Sequence, residues 1–391
     1  MKIGIYGGTF NPIHTGHIHA AKQAMEILNL DKLLMIPDRI APHKEIPSGS
    51  PTPQQRLEML RLAVEGEPGI EVSDMELKRE GKSYTYLTVE ALREEYPDAE
   101  LYLLMGTDMF LSFHTWMNPE RITAQATLAI MYRGEKGEAA KIEARKAEME
   151  AEGVRVVLVR NDTINISSTQ LRRLIAFRCA GEFLPNGVES YIRRNGLYDA
   201  SADWKNLPME QLEPIVIRLL NPNRVNHVLG CRDTAVELAK RWGANETDAS
   251  RAGILHDITK ALDGPLQLTL CREYGTILDE FGYKYPKTLH ALTGSLVAER
   301  IFGESEAVVS AICHHTTGKA DMSLLEKIIY VADYMEPNRN FPGVEKLREL
   351  AFSDITAALK LGLEMTLEHL AELGDEVSPA SAQALEFLNR N

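Results

Sequence analysis

The stretch KIGIYGGTFNPIHTGHIHAAKQAMEIL at residues 2–28 decides the fold of the first half of the chain. Its apolar run at residues 2–8 ends in two glycines, which predicts a buried strand that enters a loop. Residues 17–29 have the apolar spacing of a helix. Glycines let the backbone approach a ligand closely, and a helix N-terminus offers free N–H groups and a positive dipole end to an anion. The stretch therefore predicts a phosphate-binding loop.

Two histidines of this loop, His14 and His17, are three positions apart, so both side chains can face one phosphate. The alternative is a turn with two incidental histidines, but the strand–loop–helix context favours a functional interpretation. The loop has neither the GxxxxGK[ST] pattern of a Walker loop nor the GxGxxG pattern of a dehydrogenase.

A second candidate phosphate site is ISSTQLR at residues 166–172. Its hydroxyl residues can cap a helix, which is the purely structural alternative. The same hydroxyls and the backbone N–H groups can also hold a triphosphate, with Arg172 one turn further on reaching the charge.

Strands and helices alternate through the first half of the chain, which predicts an α/β domain with a parallel sheet. We expect strands at residues 2–8, 33–37, 100–106, 127–133 and 154–160, and helices at 17–29, 54–66, 85–96, 135–153 and 167–177. After Tyr198 the pattern becomes all-helical, with segments at 211–220, 224–242, 246–257, 289–302, 305–314, 323–334, 345–371 and 378–390. We therefore expect an α/β domain at 1–198, a linker at 199–210 and an all-α domain at 211–391.

Composition excludes several classes of protein. The chain has 391 residues, is 44% hydrophobic and has a net charge of −13. Such a balance argues against disorder, and an acidic chain argues against a general nucleic-acid binder. We find neither an apolar run of about 18 residues nor a signal-peptide pattern at MKIGIYGG, and the four cysteines form no CxxC pair. These features predict a cytoplasmic protein with reduced thiols and no membrane partner, and they leave a homo-oligomer open.

Five segments of the first half, in this order, resemble the nucleotidyltransferases with a (T/H)xGH motif, and in particular the bacterial nicotinate-nucleotide adenylyltransferases. They are GGTFNPIHTGH at 7–17, PDRIAPHK at 37–44, SYTYLTVEAL at 83–92, GTDMFLSFHTW at 106–116 and ISSTQLR at 166–172. The resemblance implies a Rossmann-like domain that joins ATP to nicotinate mononucleotide, with Mg²⁺, and releases deamido-NAD and pyrophosphate. One departure is Leu87, where the family pattern often has Asp, and this concerns side-chain detail near the pyridine site.

The same resemblance implies roles for individual residues. The implied catalytic residues are His14, His17, Lys44 and Arg172. The implied ATP contacts are Gly7, Gly8, Thr9, Phe10, His14, His17, Gly106, Asp108, Ser167, Thr169 and Arg172. The implied contacts of nicotinate mononucleotide are Asn11, Lys44, Tyr84, Thr85 and Trp116, with Trp116 stacked on the pyridine ring and the pair at 84–85 reading its carboxylate.

Histidines and aspartates recur on separate predicted helices of the second half. The dipeptide His256-Asp257 ends the apolar run AGIL, where an unpaired charge would be costly, and a divalent metal ion is a suitable partner. A hydrogen-bonded His-Asp pair is the structural alternative for the dipeptide alone. Because helical bundles build metal sites from side chains that converge from several helices, the whole set predicts a metal centre.

AGILHDITK at 252–260, HHTTG at 314–318 and VADYMEPNRNFPGV at 331–344 resemble the HD-domain phosphohydrolases of the YqeK type. The resemblance implies symmetric hydrolysis of diadenosine tetraphosphate to two ADP at a two-metal centre, with iron expected and manganese as the alternative. The implied ligands are His227, His256, Asp257, His290, His315 and Asp333, with Asp257 also catalytic. Lys260 and Arg339 are candidate phosphate contacts. The residues alone leave either His314 or His315 as the ligand, and the family pattern selects His315.

Three rival functions remain open on the sequence. The first half could adenylylate another substrate, such as phosphopantetheine. The second half could cleave another nucleotide, or it could be a non-catalytic sensor of a nucleotide or a metal ion.

Overall fold

The computed structural model describes residues 1–42, 47, 49–132, 137–162 and 164–390. The chain divides into two compact units, Met1–Ala202 and Asp203–Asn391. None of the helices in these described ranges is both long enough and apolar enough to span a membrane.

The first unit is built on one parallel sheet with the strand order β3-β2-β1-β4-β5-β6. The strands are β1 (Lys2–Gly8), β2 (Lys32–Pro37), β3 (Ile70–Val72), β4 (Glu100–Gly106), β5 (Ala126–Tyr132) and β6 (Val156–Arg160). In register, Ile3 of β1 pairs with Lys32 of β2 on one side and with Leu101 of β4 on the other. The parallel sheet expected from the sequence is confirmed, and the three-residue edge strand β3 was missed because so short a run has no readable period.

Nine helices accompany this sheet in the described part of the unit. They are α1 (Thr15–Leu28), α2 (Pro53–Val64), α3 (Met75–Lys78), α4 (Thr85–Glu95), α5 (Thr107–Leu111), α6 (Pro119–Thr123), α7 (Glu138–Ala151), α8 (Ser168–Ala176) and α9 (Val188–Arg194). An apolar core with Ile5, Leu103, Phe110 and Ile130 fills the space between the sheet and the helices of one face. The strands are consequently buried runs of aliphatic residues, as parallel strands are when both faces are covered.

The second unit is helical throughout its described residues. Its α-helices are α10 (Met209–Leu219), α11 (Val225–Trp242), α12 (Glu246–Leu255), α13 (Gly264–Glu273), α14 (Glu280–Lys284), α15 (His290–Val297), α16 (Glu306–His314), α17 (Leu324–Met335), α18 (Val344–Ser353), α19 (Ile355–Leu373) and α20 (Pro379–Arg390). The expectation of one helix over 345–371 was wrong. Asp354 breaks it, because the Asp354 side chain accepts hydrogen bonds from the N–H groups of Thr356 and Ala357 and so begins α19.

Candidate active sites in the two units

A cleft opens at the carboxyl ends of β1 and β4 in the first unit. From β1 the sheet continues through β2 on one side and through β4 on the other, so the strand order reverses between β1 and β4. Parallel sheets bind ligands at such a switch point. The cleft holds about 660 Å³ and is lined by Tyr6, His14, Gly16, His17, Ala20, Gly106, Thr107, Asp108, Met109, Met131, Glu138, Asn161, Ile164, Ile166, Ser167 and Ser168.

The two loop histidines lie together at the start of α1. Their ring centroids are 3.6 Å apart, and the His14 N–H donates to His17 Nδ1 at 3.3 Å. His14 is 6% exposed, and burial together with the neighbouring His17 lowers its pKa well below the ordinary value. Gly16 permits this packing, because a Cβ at that position would lie 3.0 Å from His14 Nδ1. A neutral His14 can still donate a hydrogen bond to an anion in the cleft.

The N-terminus of α8 meets the glycine-rich loop. Ser168 Oγ donates to the Pro12 carbonyl at 3.1 Å, and Arg172 Nη1 donates to the Asn11 carbonyl at 2.8 Å. Ser167 is the cap residue, since its side chain accepts from the Gln170 N–H. Two helix N-termini, those of α1 and α8, are thereby tied to one loop, and both bring a positive dipole end to the cleft.

Thr169 and Phe10 also belong to this arrangement. Arg172 Nη2 donates to Thr169 Oγ1 at 3.0 Å, and burial lowers the pKa of Arg172. Phe10 has a positive φ of 45° and packs edge-on against Tyr6 and His17. Gly8 lies against the Phe10 ring, whose nearest carbon would be 3.1 Å from a Cβ there, whereas a Cβ at Gly7 would meet nothing within 4 Å.

Sequence reasoning missed two residues that hold the glycine-rich loop, Arg56 and Tyr198. Arg56 is fully buried on α2, donates to the Thr9 carbonyl at 2.5 Å and pairs with Asp38 at 3.1 Å. Tyr198 Oη donates to Asn11 Oδ1 at 2.7 Å across 187 residues of sequence. A signal for Arg56 existed, because it shares an apolar helical stripe at i, i+4 and i+7 with Leu60 and Ala63. Tyr198 left no such signal, since it lies in the short 3₁₀ helix Leu197–Asp199, where three residues show no period.

The expected adenosine and pyridine contacts lie on separate elements. Gly106 ends β4 and Asp108 lies exposed on α5, both at the cleft. Tyr84 precedes α4 and Thr85 begins it, while Trp116 packs on Phe113 with ring centroids 5.3 Å apart. Lys44 lies outside the described residues.

In the second unit, six polar side chains from five helical regions converge on one buried point. His227 comes from α11, the pair His256 and Asp257 from the end of α12, and His290 from the start of α15. His315 follows α16, and Asp333 lies on α17. The ligand atoms of His227, His256 and Asp333 all lie within 4.8 Å of one another, and so do those of His256, Asp257 and His315. The structure thus brings five of the six expected side chains together as two adjoining groups that share His256, and His290 lies next to them with its Nε2 3.6 Å from the Asp257 carboxylate.

Three of these histidine rings have the same orientation, with Nδ1 against a backbone carbonyl oxygen. The Nδ1 atoms of His256, His290 and His315 lie 2.8, 2.9 and 2.7 Å from the carbonyl oxygens of Gly253, Lys287 and Ile312. Carbonyl oxygens only accept, so Nδ1 bears the proton in each ring and the lone pair of Nε2 faces the cluster. His315 Nε2 is buried with no hydrogen-bond partner among the described residues.

The surroundings of His227 indicate what the cluster can bind. His227 Nε2 lies 3.2 Å from His256 Nε2. His227 Nδ1 faces the Glu336 carboxylate at 3.1 Å and donates to it, which turns His227 Nε2 toward both His256 Nε2 and the Asp333 carboxylate, the latter at 3.1 Å. Two imidazole nitrogens and a carboxylate that converge in this way can bind a cation, and a set of imidazole and carboxylate donors is suited to divalent iron, manganese or zinc. The residues present therefore fit a metal centre.

The carboxylates and cations of the site are also paired. Asp257 is 2% exposed, and its carboxylate lies 3.6 Å from His290 Nε2 and 3.8 Å from His315 Nε2. Burial raises the pKa of Asp333, but the hydrogen bond with His227, the neighbouring imidazoles and the Arg339 guanidinium outweigh it, so that pKa lies well below the ordinary value. Burial lowers the pKa values of His256, His290 and His315, as expected for metal-binding imidazoles kept neutral.

The two expected phosphate contacts touch the ligand set. Lys260 Nζ lies 2.9 Å from His290 Nε2, and burial lowers the pKa of Lys260 to about 8. Arg339 Nη2 donates to Asp333 Oδ1 at 2.7 Å. Sequence reasoning missed Arg224, which contacts Asp257, although it lies only three positions before His227.

The structure separates the two neighbouring histidines of HHTTG. His315 joins the cluster, whereas His314 Nδ1 lies 2.8 Å from the Ser310 carbonyl and 3.4 Å from the Glu326 carboxylate. His314 is therefore held on the other side of the helix end.

Known proteins match each half of the chain. Residues 5–174 match the family described as cytidylyltransferase-like, and residues 224–338 match the HD domain family. A probable nicotinate-nucleotide adenylyltransferase from Desulfatibacillum aliphaticivorans is 38% identical over 218 residues, which covers 51% of this chain and 100% of that protein. Another from Pelobacter propionicus is 36% identical over 213 residues and is covered to 98%. The crystal structure of a predicted HD superfamily hydrolase involved in NAD metabolism from Clostridium acetobutylicum is 35% identical, with a TM-score of 0.46, covering 47% of this chain and 99% of that chain.

Proposed function

The N-terminal half of this chain belongs to the nicotinate-nucleotide adenylyltransferase family and its C-terminal half contains an HD domain, and we propose that the chain is a bifunctional enzyme. The comparisons confirm the resemblance of the first half to nicotinate-nucleotide adenylyltransferases, the HD domain of the second half and the fusion of the two. The first unit would make deamido-NAD, and the second would hydrolyse a dinucleoside polyphosphate.

In the proposed first reaction, a 5′-phosphate oxygen of nicotinate mononucleotide attacks the α-phosphorus of ATP, and pyrophosphate leaves. The observation that supports this most is the meeting of two helix N-termini and Arg172 at one glycine-rich loop. His14, His17 and Arg172 would hold the phosphates and stabilise the charge on the leaving pyrophosphate, so catalysis is positioning and electrostatics. Mg²⁺, when bound, would share the triphosphate charge.

The remaining residues would place the two nucleosides. Gly106 leaves open backbone beside the cleft, and Asp108 would accept from ribose hydroxyls. Trp116 would stack on the pyridine ring, and the N-terminus of α4 at Tyr84 and Thr85 would donate to its carboxylate. Lys44 would complete the phosphate contacts.

The test of the first activity uses the full chain with ATP and three acceptors: nicotinate mononucleotide, its amide counterpart and phosphopantetheine. We expect deamido-NAD and pyrophosphate in equal amounts, and no transfer by the His17→Ala variant. His19→Ala is the matched control, because His19 lies on the same helix but lines a separate cavity with Lys22 and Glu26. Preference for phosphopantetheine would refute the assignment.

In the proposed second reaction, diadenosine tetraphosphate and water give two ADP. The observation that supports it is the convergence of His227 Nε2 on His256 Nε2 at 3.2 Å and on the Asp333 carboxylate at 3.1 Å, a donor set that suits a divalent cation. His227, His256, Asp257, His290, His315 and Asp333 would hold two divalent metal ions, iron or manganese. These ions supply Lewis acidity and a nucleophile derived from water. Arg339 and Lys260, beside the ligands, would hold the phosphates.

The test of the second activity uses the full-length His17→Ala variant, so that the first site adds no adenylate chemistry. It is loaded anaerobically with iron and separately with manganese, and products are separated by chromatography. ADP alone would support symmetric cleavage, whereas ATP with AMP would refute it. A panel of deoxynucleotides, cyclic dinucleotides and alarmones tests the rival substrates, and metal binding without turnover on any of them would indicate a sensor.

The two activities should be separable. Asp257→Ala should abolish hydrolysis and leave adenylyl transfer intact, the reverse of His17→Ala. Loss of both activities in either variant, in a folded protein, would contradict the proposal of two independent centres.

A further inference from the structure

A buried carboxylate supports His227 from outside the expected ligand set. Glu336 is 1% exposed, and its Oε1 lies 3.1 Å from His227 Nδ1. A carboxylate can only accept, so the contact places a proton on Nδ1 and turns Nε2 toward His256 and Asp333. We propose that Glu336 is a positioning residue that fixes the tautomer and orientation of His227 for a divalent metal ion. The inference rests on the metal centre of the proposed function.

Glu336 is held so that one oxygen is left for His227. Its other oxygen, Oε2, accepts from the Asn338 N–H at 2.7 Å and from Asn338 Nδ2 at 2.8 Å. Asn338 Nδ2 also donates to the Asn226 carbonyl at 3.1 Å. Both oxygens therefore have partners in the protein, which assigns Glu336 a supporting role and not that of a further ligand.

Gly230 makes the room that this carboxylate needs. It lies on α11 three residues after His227, and a Cβ there would be 2.5 Å from Glu336 Oε2 and 3.1 Å from Asn338 Nδ2. Alanine is about 1 kcal/mol better than glycine in a helix interior. Glycine at position 230 therefore lowers the stability of α11 but leaves space for the Glu336 carboxylate next to His227.

The first experiment measures Mn²⁺ affinity of the full chain by chelator competition. Glu336→Gln is nearly isosteric, but its amide offers one acceptor where three donors converge from His227 and Asn338. We expect Mn²⁺ to bind about 10–100-fold more weakly, the usual effect of removing a group that orients a metal ligand. The matched control is Glu326→Gln, which is equally buried on α17 but contacts His314, and which should leave Mn²⁺ affinity unchanged.

The second experiment is a double-mutant cycle with Gly230→Ala and Glu336→Ala. If Gly230 acts by making room for the carboxylate, Gly230→Ala weakens Mn²⁺ binding in the wild-type background and has no further effect once Glu336 is alanine. Nitrogen NMR of the metal-free protein provides a readout independent of binding. We expect a proton on Nδ1 of His227 in the wild type and a population that lacks this proton in Glu336→Ala.

The outcomes separate this inference from the proposed function. If the wild-type chain does not bind Mn²⁺, the metal centre itself is wrong. If the wild type binds Mn²⁺ and the Glu336 variants bind it within twofold with an unchanged His227 tautomer, the positioning role alone is wrong. Additive losses in the cycle would also overturn it. Should the Glu336 variants fail to fold, Gly230→Ala still decides the matter, because it retains every ligand.

Discussion

Replacing Arg56 by methionine should destabilise the first unit more than any exposed substitution on the same helix. The guanidinium is fully buried, pairs with Asp38 at 3.1 Å and donates to the carbonyls of Thr9 and Asp38. At 3.1 Å and an effective dielectric of about 20, the attraction is about 5 kcal/mol. Removing one partner of a buried pair costs about 3–5 kcal/mol, because the other charge remains buried, and this is a large part of a domain's stability of about 5–15 kcal/mol.

The assay is hydrogen exchange by mass spectrometry in increasing urea, read on peptides from β1 and α2, with peptides of the second unit as the internal reference. Arg61→Met is the matched control, because Arg61 lies exposed on α2 and pairs with Glu58 at 2.7 Å, an interaction of about 0.2–1 kcal/mol. Asp38→Asn combined with Arg56→Met should cost less than the sum of the two single changes. A loss for Arg56→Met no greater than that for Arg61→Met would refute the reasoning. Adenylyl transfer should fall with Arg56→Met, since the loop carbonyl of Thr9 loses its donor.

Three further predictions concern single positions. Gly16→Ala should reduce adenylyl transfer at least tenfold without lowering stability, because the new Cβ would lie 3.0 Å from His14 Nδ1; unchanged steady-state transfer rates would contradict this. Burial raises the pKa of Glu76, so the folded state keeps the proton longer than the unfolded chain, and stability should fall as pH rises from about 4.3 through the raised pKa. Glu76→Gln should remove that slope in urea titrations at a series of pH values, and parallel curves would count against it. His315→Ala should lose about one bound metal ion per chain by elemental analysis while His314→Ala keeps it, and the opposite result would reassign the ligand.

The alternation of strands and helices could be predicted from sequence because each element has its own period. Buried parallel strands are continuous aliphatic runs, and the helices have an apolar stripe. The exceptions are the short edge strand at Ile70–Val72 and the break at Asp354, where one side chain that accepts two backbone N–H groups outweighs an apolar pattern that continues on both sides. Local capping chemistry is not visible in a period read over a window of many residues.

The side chains that converge at the two candidate sites could be anticipated from the sequence. Histidine, aspartate and glycine are costly or unusual where they occur in apolar runs, so their positions stand out. The side chains that stand behind them could not be anticipated. Arg56 and Glu336 each contact a loop or ring that is far away in sequence, and each would be unremarkable on an exposed helix face.

This difference has a physical origin that applies to both units. A group that binds a ligand must keep a free donor or acceptor, and a buried free group is costly enough to be noticed in the sequence. A supporting group makes most of its hydrogen bonds inside the protein, so most of its cost is cancelled by partners that only the fold brings near. Arg56 and Glu336 are such groups: one holds the Thr9 carbonyl, and the other holds the Nδ1 proton of His227. We therefore expect substitutions of supporting residues to weaken ligand binding although every residue that touches the ligand is retained. Activity alone does not separate the two kinds of residue. Metal affinity and the free energy of unfolding, measured on the same variants, do separate them.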